Sequence, residues 1–186
     1  MSMDFNDAES KGYGVIPQGT VVPLIMTVRP GKHGDGGWES TSAKSEYTWL
    51  DCEFTVTGGQ YRNRKFWQNM MVSGPSDTAI SITRSTLRGI LESARQIKPD
   101  DESEAAKAKR IVTGYGDFSG LEFVAKVKVV KQDGYDDKNE LLTPVPVTSP
   151  DYAKAGEAKP IGEVAQNVVN NAAAKQSAGG TPAWAQ

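Results

Sequence analysis

The chain has 186 residues, of which 38% are hydrophobic and 24% charged, and its formal net charge is −2. These values are ordinary for one globular domain with or without an appendage, and the lack of any apolar run of about 18 residues argues against a membrane span. The single cysteine, Cys52, and the single histidine, His33, exclude an internal disulfide and argue against a transition-metal site or a Cys–His catalytic pair. We expect Cys52 in the core, His33 in a solvated loop, and no cofactor.

Residues 1–14 are polar and acidic, which predicts a poorly ordered lead-in. They carry neither the basic start nor the apolar stretch of a secretory signal, so we expect a cytoplasmic protein. Residues 20–29 are rich in β-branched side chains and predict a first strand, in which Pro23 indicates an edge or a bulge. Residues 31–46 contain several glycines, as a phosphate-binding loop does. They lack the Gly-Lys-Ser/Thr that such a loop requires, so we expect a flexible connector between strands instead.

The clearest strand lies at residues 47–57, where apolar side chains from Leu50 to Val56 alternate with polar or mixed positions. Gly58 and Gly59 predict a turn, and residues 64–72 predict a third strand that forms an antiparallel hairpin with the second.

Ser76 or Asp77 supplies an N-cap for a helix that we expect to end near Ile97, followed by a short surface helix within residues 100–110. A fourth strand is predicted at residues 120–131. A fifth follows the Asp133-Gly134 turn at residues 139–148, where prolines indicate an edge.

These elements predict a mainly β protein with five strands, arranged as a small antiparallel barrel with the helix between strands three and four. Residues 1–152 form the expected domain. Residues 153–186 are rich in alanine and glycine, and we expect a disordered tail.

No set of residues indicates catalysis, so we expect a binding protein rather than an enzyme. Asp51 and Glu53 share a strand face, but two carboxylates there are equally a solubilising pattern. Residues 133–140 resemble a calcium loop in composition only, because the central glycine and the final glutamate are misplaced. We therefore expect no metal site.

Charge is distributed unevenly along the chain. Residues 60–98 contain seven basic and two acidic residues, whereas acidic residues concentrate at 4–9, 100–104 and 133–140. A basic centre is typical of proteins that bind nucleic acid, even where the net charge is negative.

The hairpin at residues 47–72 interleaves aromatic side chains with cations, as in proteins whose aromatic rings stack unpaired bases while cations follow the phosphates. We expect Trp49 on the face away from the core, and one of Phe66 and Trp67 buried, because they lie on opposite faces. Arg62, Arg64 and Lys65 should be exposed to solvent. Two alternatives stay open: the aromatic residues could belong to the core, and Lys126 and Lys128 on the fourth strand could simply be exposed to solvent without contacting nucleic acid. The candidate nucleic-acid-binding residues are Tyr47, Trp49, Tyr61, Arg62, Arg64, Lys65, Trp67, Arg84, Arg88, Lys126 and Lys128.

Residues 59–69, GQYRNRKFWQN, resemble the G-x-Y-x-x-R-x-x-W-x-N strand-turn of a phage-encoded family of single-stranded-DNA-binding proteins. The segments MDFNDA at residues 3–8, VIPQG at 15–19 and LEF at 121–123 are also similar, and the resemblance covers residues 3–152. It implies an oligonucleotide-binding (OB) fold with a helix between the third and fourth strands. It also implies a role in replication or recombination, in the host cytoplasm if the chain is phage-encoded.

Proteins of this functional type often end in an acidic tail with a terminal aromatic residue. Here Trp184 lies near the end, but residues 153–186 carry three lysines and two glutamates, so partner recruitment by such a tail is not expected.

Three functions are therefore considered. The favoured function is sequence-independent binding of single-stranded DNA, with replication or recombination proteins as further partners and no membrane partner. The alternatives are a protein-binding module that inhibits or recruits a host complex, and a strand-annealing recombinase. Homo-oligomerisation and the preference for DNA over RNA stay open.

Overall fold

The computed structural model describes residues 14–31, 37–42 and 44–156. The expected lead-in up to residue 13, His33 and the tail from residue 157 lie outside the described residues. The elements, in chain order, are strands β1 (Val21–Val28), β2 (Glu39–Ser42), β3 (Ser45–Val56) and β4 (Lys65–Ser73), helices α1 (Asp77–Ala94) and α2 (Glu104–Lys109), a 3-10 helix (Tyr115–Phe118), strands β5 (Glu122–Gln132) and β6 (Tyr135–Pro144), and helix α3 (Pro150–Gly156).

The part of the chain that the structure describes is mainly β, with six antiparallel strands in one sheet. Five strands were expected, and the sixth is β2, which pairs with the first part of β3. The expectation of a flexible connector over residues 31–46 is therefore wrong for residues 39–42, and also for residues 45 and 46, which begin β3. β2 has the sequence ESTS, which carries no apolar alternation, so its strand conformation comes from the ladder that the long β3 offers.

β1 is a central strand, paired with β3 on one side and with β5 on the other. The expectation that Pro23 marks an edge or a bulge is wrong. Pro23 O accepts a hydrogen bond from Thr57 N at 3.0 Å, and the ladder between β1 and β3 begins only at Leu24–Val56. The N and O atoms of one strand residue point to the same side of the strand. The position of the N–H that Pro23 lacks is therefore on the side of β1 that faces β3, just beyond the end of β3.

The β3–β4 hairpin confirms the prediction from alternation. Phe54 pairs with Phe66 and Glu53 with Trp67. Phe54 is fully buried and its ring stacks on that of Phe66, with ring centroids 5.3 Å apart. Cys52 is fully buried on the same face, as expected.

β5 and β6 form a hairpin through the expected turn at Asp133 and Gly134, where Gly134 has φ +79°. β6 begins four residues earlier than predicted and ends at Pro144. β6 also approaches β4, and Leu141 N donates a hydrogen bond of 2.9 Å to the side-chain oxygen of Gln68 on β4.

α1 begins as predicted, because the Ser76 side chain accepts a hydrogen bond from Ala79 N at 3.3 Å. It ends three residues before the predicted Ile97, because Gln96 takes a left-handed conformation with φ +54°. The short helix within residues 100–110 is confirmed as α2. α3 packs on β1 and includes the first residues of the expected tail, and the division of the chain at residues 152/153 stays a prediction.

One hydrophobic core receives buried side chains from β1, β3, β4, β5, β6 and the apolar stripe of α1. β4 and β6 contact each other, and α1 packs against β4, β5 and β6. None of the described helices is long and apolar enough to cross a membrane.

Candidate nucleic-acid interface

A groove of about 1020 Å³ lies beside the turn between β3 and β4. One wall is formed by this turn and the first residues of β4. The other is formed by residues 14–16 and by the first half of β6. Phe66 is one of its apolar lining residues, and the charged residues among the described ones that line it are Arg62, Arg64, Lys65, Asp137 and Lys138.

The turn places its cations at the groove because it is tightly closed. Arg62 N donates to Gly59 O at 3.2 Å and Asn63 N donates to Val56 O at 2.8 Å. Gly59 and Asn63 both have positive φ, at 73° and 69°. These are conformations that glycine and asparagine adopt more readily than other residues. Arg62 is exposed, as expected, and it forms no ion pair within the part of the chain that the structure describes.

Arg64 is half-buried rather than fully exposed, because it is held on two sides. Its guanidinium donates to Gly14 O and lies 5.3 Å from the centre of the Tyr61 ring. Tyr61 is itself half-buried and packs against the core. One face of the Tyr61 ring is therefore already covered by a cation, which makes Tyr61 a support for Arg64 as much as a stacking surface.

Among the described residues that line the groove, Trp67 is the exposed aromatic one. Its side chain is 49% exposed, whereas Phe66 is 5% exposed, so the expectation that one of the two is buried is confirmed. The indole Nε1 of Trp67 donates to Glu53 Oε2 at 3.1 Å, and Lys65 Nζ lies 2.6 Å from Glu53 Oε1. Burial raises the pKa of Glu53, but the hydrogen bonds from Lys65 and Trp67 and the nearby positive charges outweigh it and lower this pKa below its usual value.

Trp49 and Tyr47 lie on the hairpin but away from the groove. Trp49 pairs with Met71, four residues along the hairpin from the Glu53–Trp67 pair, which is a distance of about 13 Å. Trp49 is half-buried on the face opposite the core. Tyr47 is also half-buried, and its ring covers Gly74, where an added Cβ would lie 2.5 Å from the ring.

The predicted cations on α1 and β5 lie outside the groove lining. Three of them have carboxylate partners: Arg88 with Glu92 at 2.8 Å, Lys126 with Asp151 at 3.0 Å and Lys128 with Glu140 at 3.2 Å. Lys126 lowers the pKa of Asp151 by hydrogen bonding and charge. Arg84 is exposed on α1 near Tyr115, whose pKa is raised chiefly by burial and further by Glu39, with Arg84 acting in the opposite direction.

Two groove residues were not anticipated from the sequence. Lys138 lines the groove and pairs with Glu140 at 2.9 Å, and Asn139 ties β6 to Ile16. Both fall in residues that were predicted to precede or begin the fifth strand, where apolar alternation is absent. Outside the groove, Trp38 is 38% exposed and packs on Gly116, where an added Cβ would lie 2.6 Å from the indole.

Among the described residues, no group of three or more His, Cys, Asp and Glu side chains is arranged to hold a metal ion. A scan against protein-family profiles and a search of curated proteins each find no match for this chain.

Proposed function

We propose that this protein binds single-stranded DNA, largely without regard to sequence and without catalysing a reaction, at the groove and at the exposed β4 surface beside it. The observation that carries the proposal is the position of Trp67. An indole that is half exposed to solvent stands beside a groove lined by three cations from one turn and strand and a fourth from β6.

Each part of this arrangement matches a part of single-stranded nucleic acid. An unpaired base can stack on the exposed face of Trp67, and such contacts contribute about 1–3 kcal/mol each. Arg62 and Arg64 both line the groove, and we expect them to be the nearest guanidinium groups to the phosphates of a strand that passes through it. Duplex DNA cannot use the indole in the same way, because its bases are already stacked and paired.

The charge pairs set the expected strength of the electrostatic contribution. Lys65 and Lys138 already contact Glu53 and Glu140, at 2.6 Å and 2.9 Å. Phosphate contacts should therefore come first from Arg62, which is exposed and forms no ion pair with the other described residues. With two to four phosphates neutralised, the logarithm of the affinity should fall by about 1.4 to 2.8 per tenfold increase in salt. Binding by one protomer should accordingly be modest at physiological salt.

The fold class that fits this function is an OB-type barrel. In support, β1 pairs with both β3 and β5, β3 pairs with β4, and β5 pairs with β6. The two ends of this series, β4 and β6, meet at the Gln68–Leu141 hydrogen bond. α1 follows β4 and precedes β5, which is where the resemblance to phage single-stranded-DNA-binding proteins places a helix. β2 is then an addition within the connection between β1 and β3.

A role in phage-type DNA replication or recombination is part of the same proposal, and it rests on the resemblance carried by residues 59–69. The structure adds a physical reason for that pattern of residues. Gly59 takes a positive φ, Tyr61 and Arg64 contact each other, and Trp67 is exposed at the groove.

The test is fluorescence anisotropy with a labelled oligothymidine and a labelled duplex of equal length, each at two salt concentrations. We expect saturable binding of the single strand, much weaker binding of the duplex, and a loss of affinity with salt of the size given above. Preference for the duplex, or affinity that does not change with salt, would refute the proposal. Absence of binding to either DNA would favour the protein-binding module.

A further inference from the structure

We infer that Glu53 is a positioning residue of this interface, whose carboxylate holds the Trp67 indole in the orientation that receives a base. This inference rests on the proposed function. In the sequence, Glu53 shares a strand face with Asp51, a pattern that is equally typical of solubilising side chains.

The geometry divides the two carboxylate oxygens between two partners. Glu53 and Trp67 are cross-strand partners on β3 and β4, so their side chains emerge side by side on one face. Oε2 accepts from the indole Nε1 at 3.1 Å, and Oε1 accepts from Lys65 Nζ at 2.6 Å. The indole has a single polar atom, and this hydrogen bond uses it. The ring of Trp67 is thereby tethered at its edge while 49% of its surface stays exposed.

The charged groups around Glu53 keep the carboxylate ionised and offset its repulsion of phosphate. Lys65 faces it from β4, and Arg29 lies beyond the end of β1 on the same side. Asp51 is the neighbouring carboxylate on this face of β3, and Arg29 lies 3.6 Å from it. Because these cations and the indole N–H favour the ionised form, the pKa of Glu53 is lowered despite partial burial.

A tethered indole binds a base more tightly than an untethered one, because less side-chain freedom is lost when the base stacks. Removing the hydrogen bond between Glu53 and the indole should therefore weaken DNA binding, and this loss should depend on the presence of Trp67. Removing the negative charge has a separate effect, because it also releases Lys65 toward phosphate. The two effects are separable, since Glu53→Gln and Glu53→Ala remove the same charge but only glutamine keeps an oxygen that can accept from the indole.

The test compares these two variants in two backgrounds, with labelled oligothymidine as the probe. In the otherwise unchanged protein, Glu53→Gln should bind about three- to tenfold more tightly than Glu53→Ala. In the Trp67→Ala background, the two Glu53 variants should bind alike, because the residue through which Glu53 acts is gone. Glu104→Ala, which removes an exposed carboxylate on α2, is the matched control and should not change affinity.

A second readout needs no DNA. The indole N–H resonance of Trp67, assigned by its loss in Trp67→Phe, should shift strongly in Glu53→Ala and much less in Glu53→Gln. Equal affinities for the two Glu53 variants in the unchanged protein, or a difference that persists in the Trp67→Ala background, would overturn the inference while leaving the proposed function standing. If Trp67→Ala itself binds like the unchanged protein, the inference and the proposed site both fail.

Discussion

The side-chain amide of Asn139 pairs with the backbone of Ile16 in both directions. Its Oδ1 accepts from Ile16 N at 2.7 Å, and its Nδ2 donates to Ile16 O at 2.8 Å. Both residues are buried, at 8% and 1% exposure. The amide thus takes the place of a neighbouring strand and fixes residues 14–16 to β6 as a wall of the groove. Arg64 holds the same segment from the opposite wall through Gly14 O.

Asn139→Ala should therefore lower the free energy of unfolding by about 1–3 kcal/mol, because two buried backbone groups of Ile16 lose their partner. The urea midpoint should fall, and amide hydrogen exchange at Ile16 should accelerate. Asn69→Ala, at an exposed position on β4, is the control and should leave both unchanged. An unaltered midpoint for Asn139→Ala would show that residues 14–16 are held by other contacts.

Glu92 joins α1 to the segment that follows α2. Its Oε1 accepts from Arg88 Nε and from Arg110 Nε, each at 2.8 Å, and its side chain is 8% exposed. Glu92→Ala should lower the free energy of unfolding by about 3 kcal/mol. This value is at the low end for a broken buried ion pair, because Arg110 still donates hydrogen bonds to the carbonyl oxygens of Lys98 and Asp101. Urea unfolding checks this, with Glu104→Ala as an exposed control expected to change stability by less than about 0.5 kcal/mol. Equal effects of the two substitutions would contradict the account.

Cys52 should be unreactive in the folded protein. Burial, and then the charge of Asp51, raise the pKa of its thiol from the ordinary 9.0 to about 12. At pH 8, a thiol-specific disulfide reagent should label Cys52 only when urea unfolds the chain. Because the pKa of the thiol is higher in the folded protein, the thiol of the unfolded chain ionises first as the pH rises. The contribution of the protonated Cys52 to the free energy of unfolding is therefore complete below pH 9.0 and declines above it. Rapid labelling of the native protein at pH 8 would show that Cys52 is accessible.

Arg62 should contribute to DNA binding through charge alone, because it is exposed and lies at the groove. Arg62→Ala should weaken oligothymidine binding and reduce the salt slope by about 0.7, the value for one phosphate contact. Lys107→Ala removes one exposed cation on α2 and serves as the matched control. A salt slope identical to that of the unchanged protein would place Arg62 outside the path of the DNA.

Much of the fold could be predicted from local pattern. The alternation from Leu50 to Val56 located β3, and the Ser76 cap located the start of α1. β2 could not be predicted in this way, because its polar residues form a strand only through pairing with β3. The early start of β6 was missed for a similar reason, since residues 135–138 contain no apolar alternation and are held by the ladder to β5. The position of Pro23 in a central strand depends on where β3 ends, which is a tertiary fact.

The site was predictable to a smaller degree. Alternation showed that Phe66 and Trp67 lie on opposite faces, but only the sheet decides which of them is buried. Arg62, Arg64 and Lys65 could be identified from the sequence, whereas Lys138 and the carboxylate partners of the cations could not. Lys126 pairs with Asp151 on α3, and Lys65 pairs with Glu53 across the hairpin, so each pairing requires the register or the packing of distant segments.

Binding of DNA beside Trp67 is tested most directly by the affinity of Trp67→Ala for labelled oligothymidine. We expect a loss of about 1–3 kcal/mol of binding free energy, roughly five- to 150-fold in affinity, with an unchanged urea midpoint, because the indole is exposed and outside the core. Ile82→Ala, which truncates a 62% exposed side chain on α1, is the control and should bind like the unchanged protein. Affinity of Trp67→Ala equal to that of the unchanged protein would contradict the account.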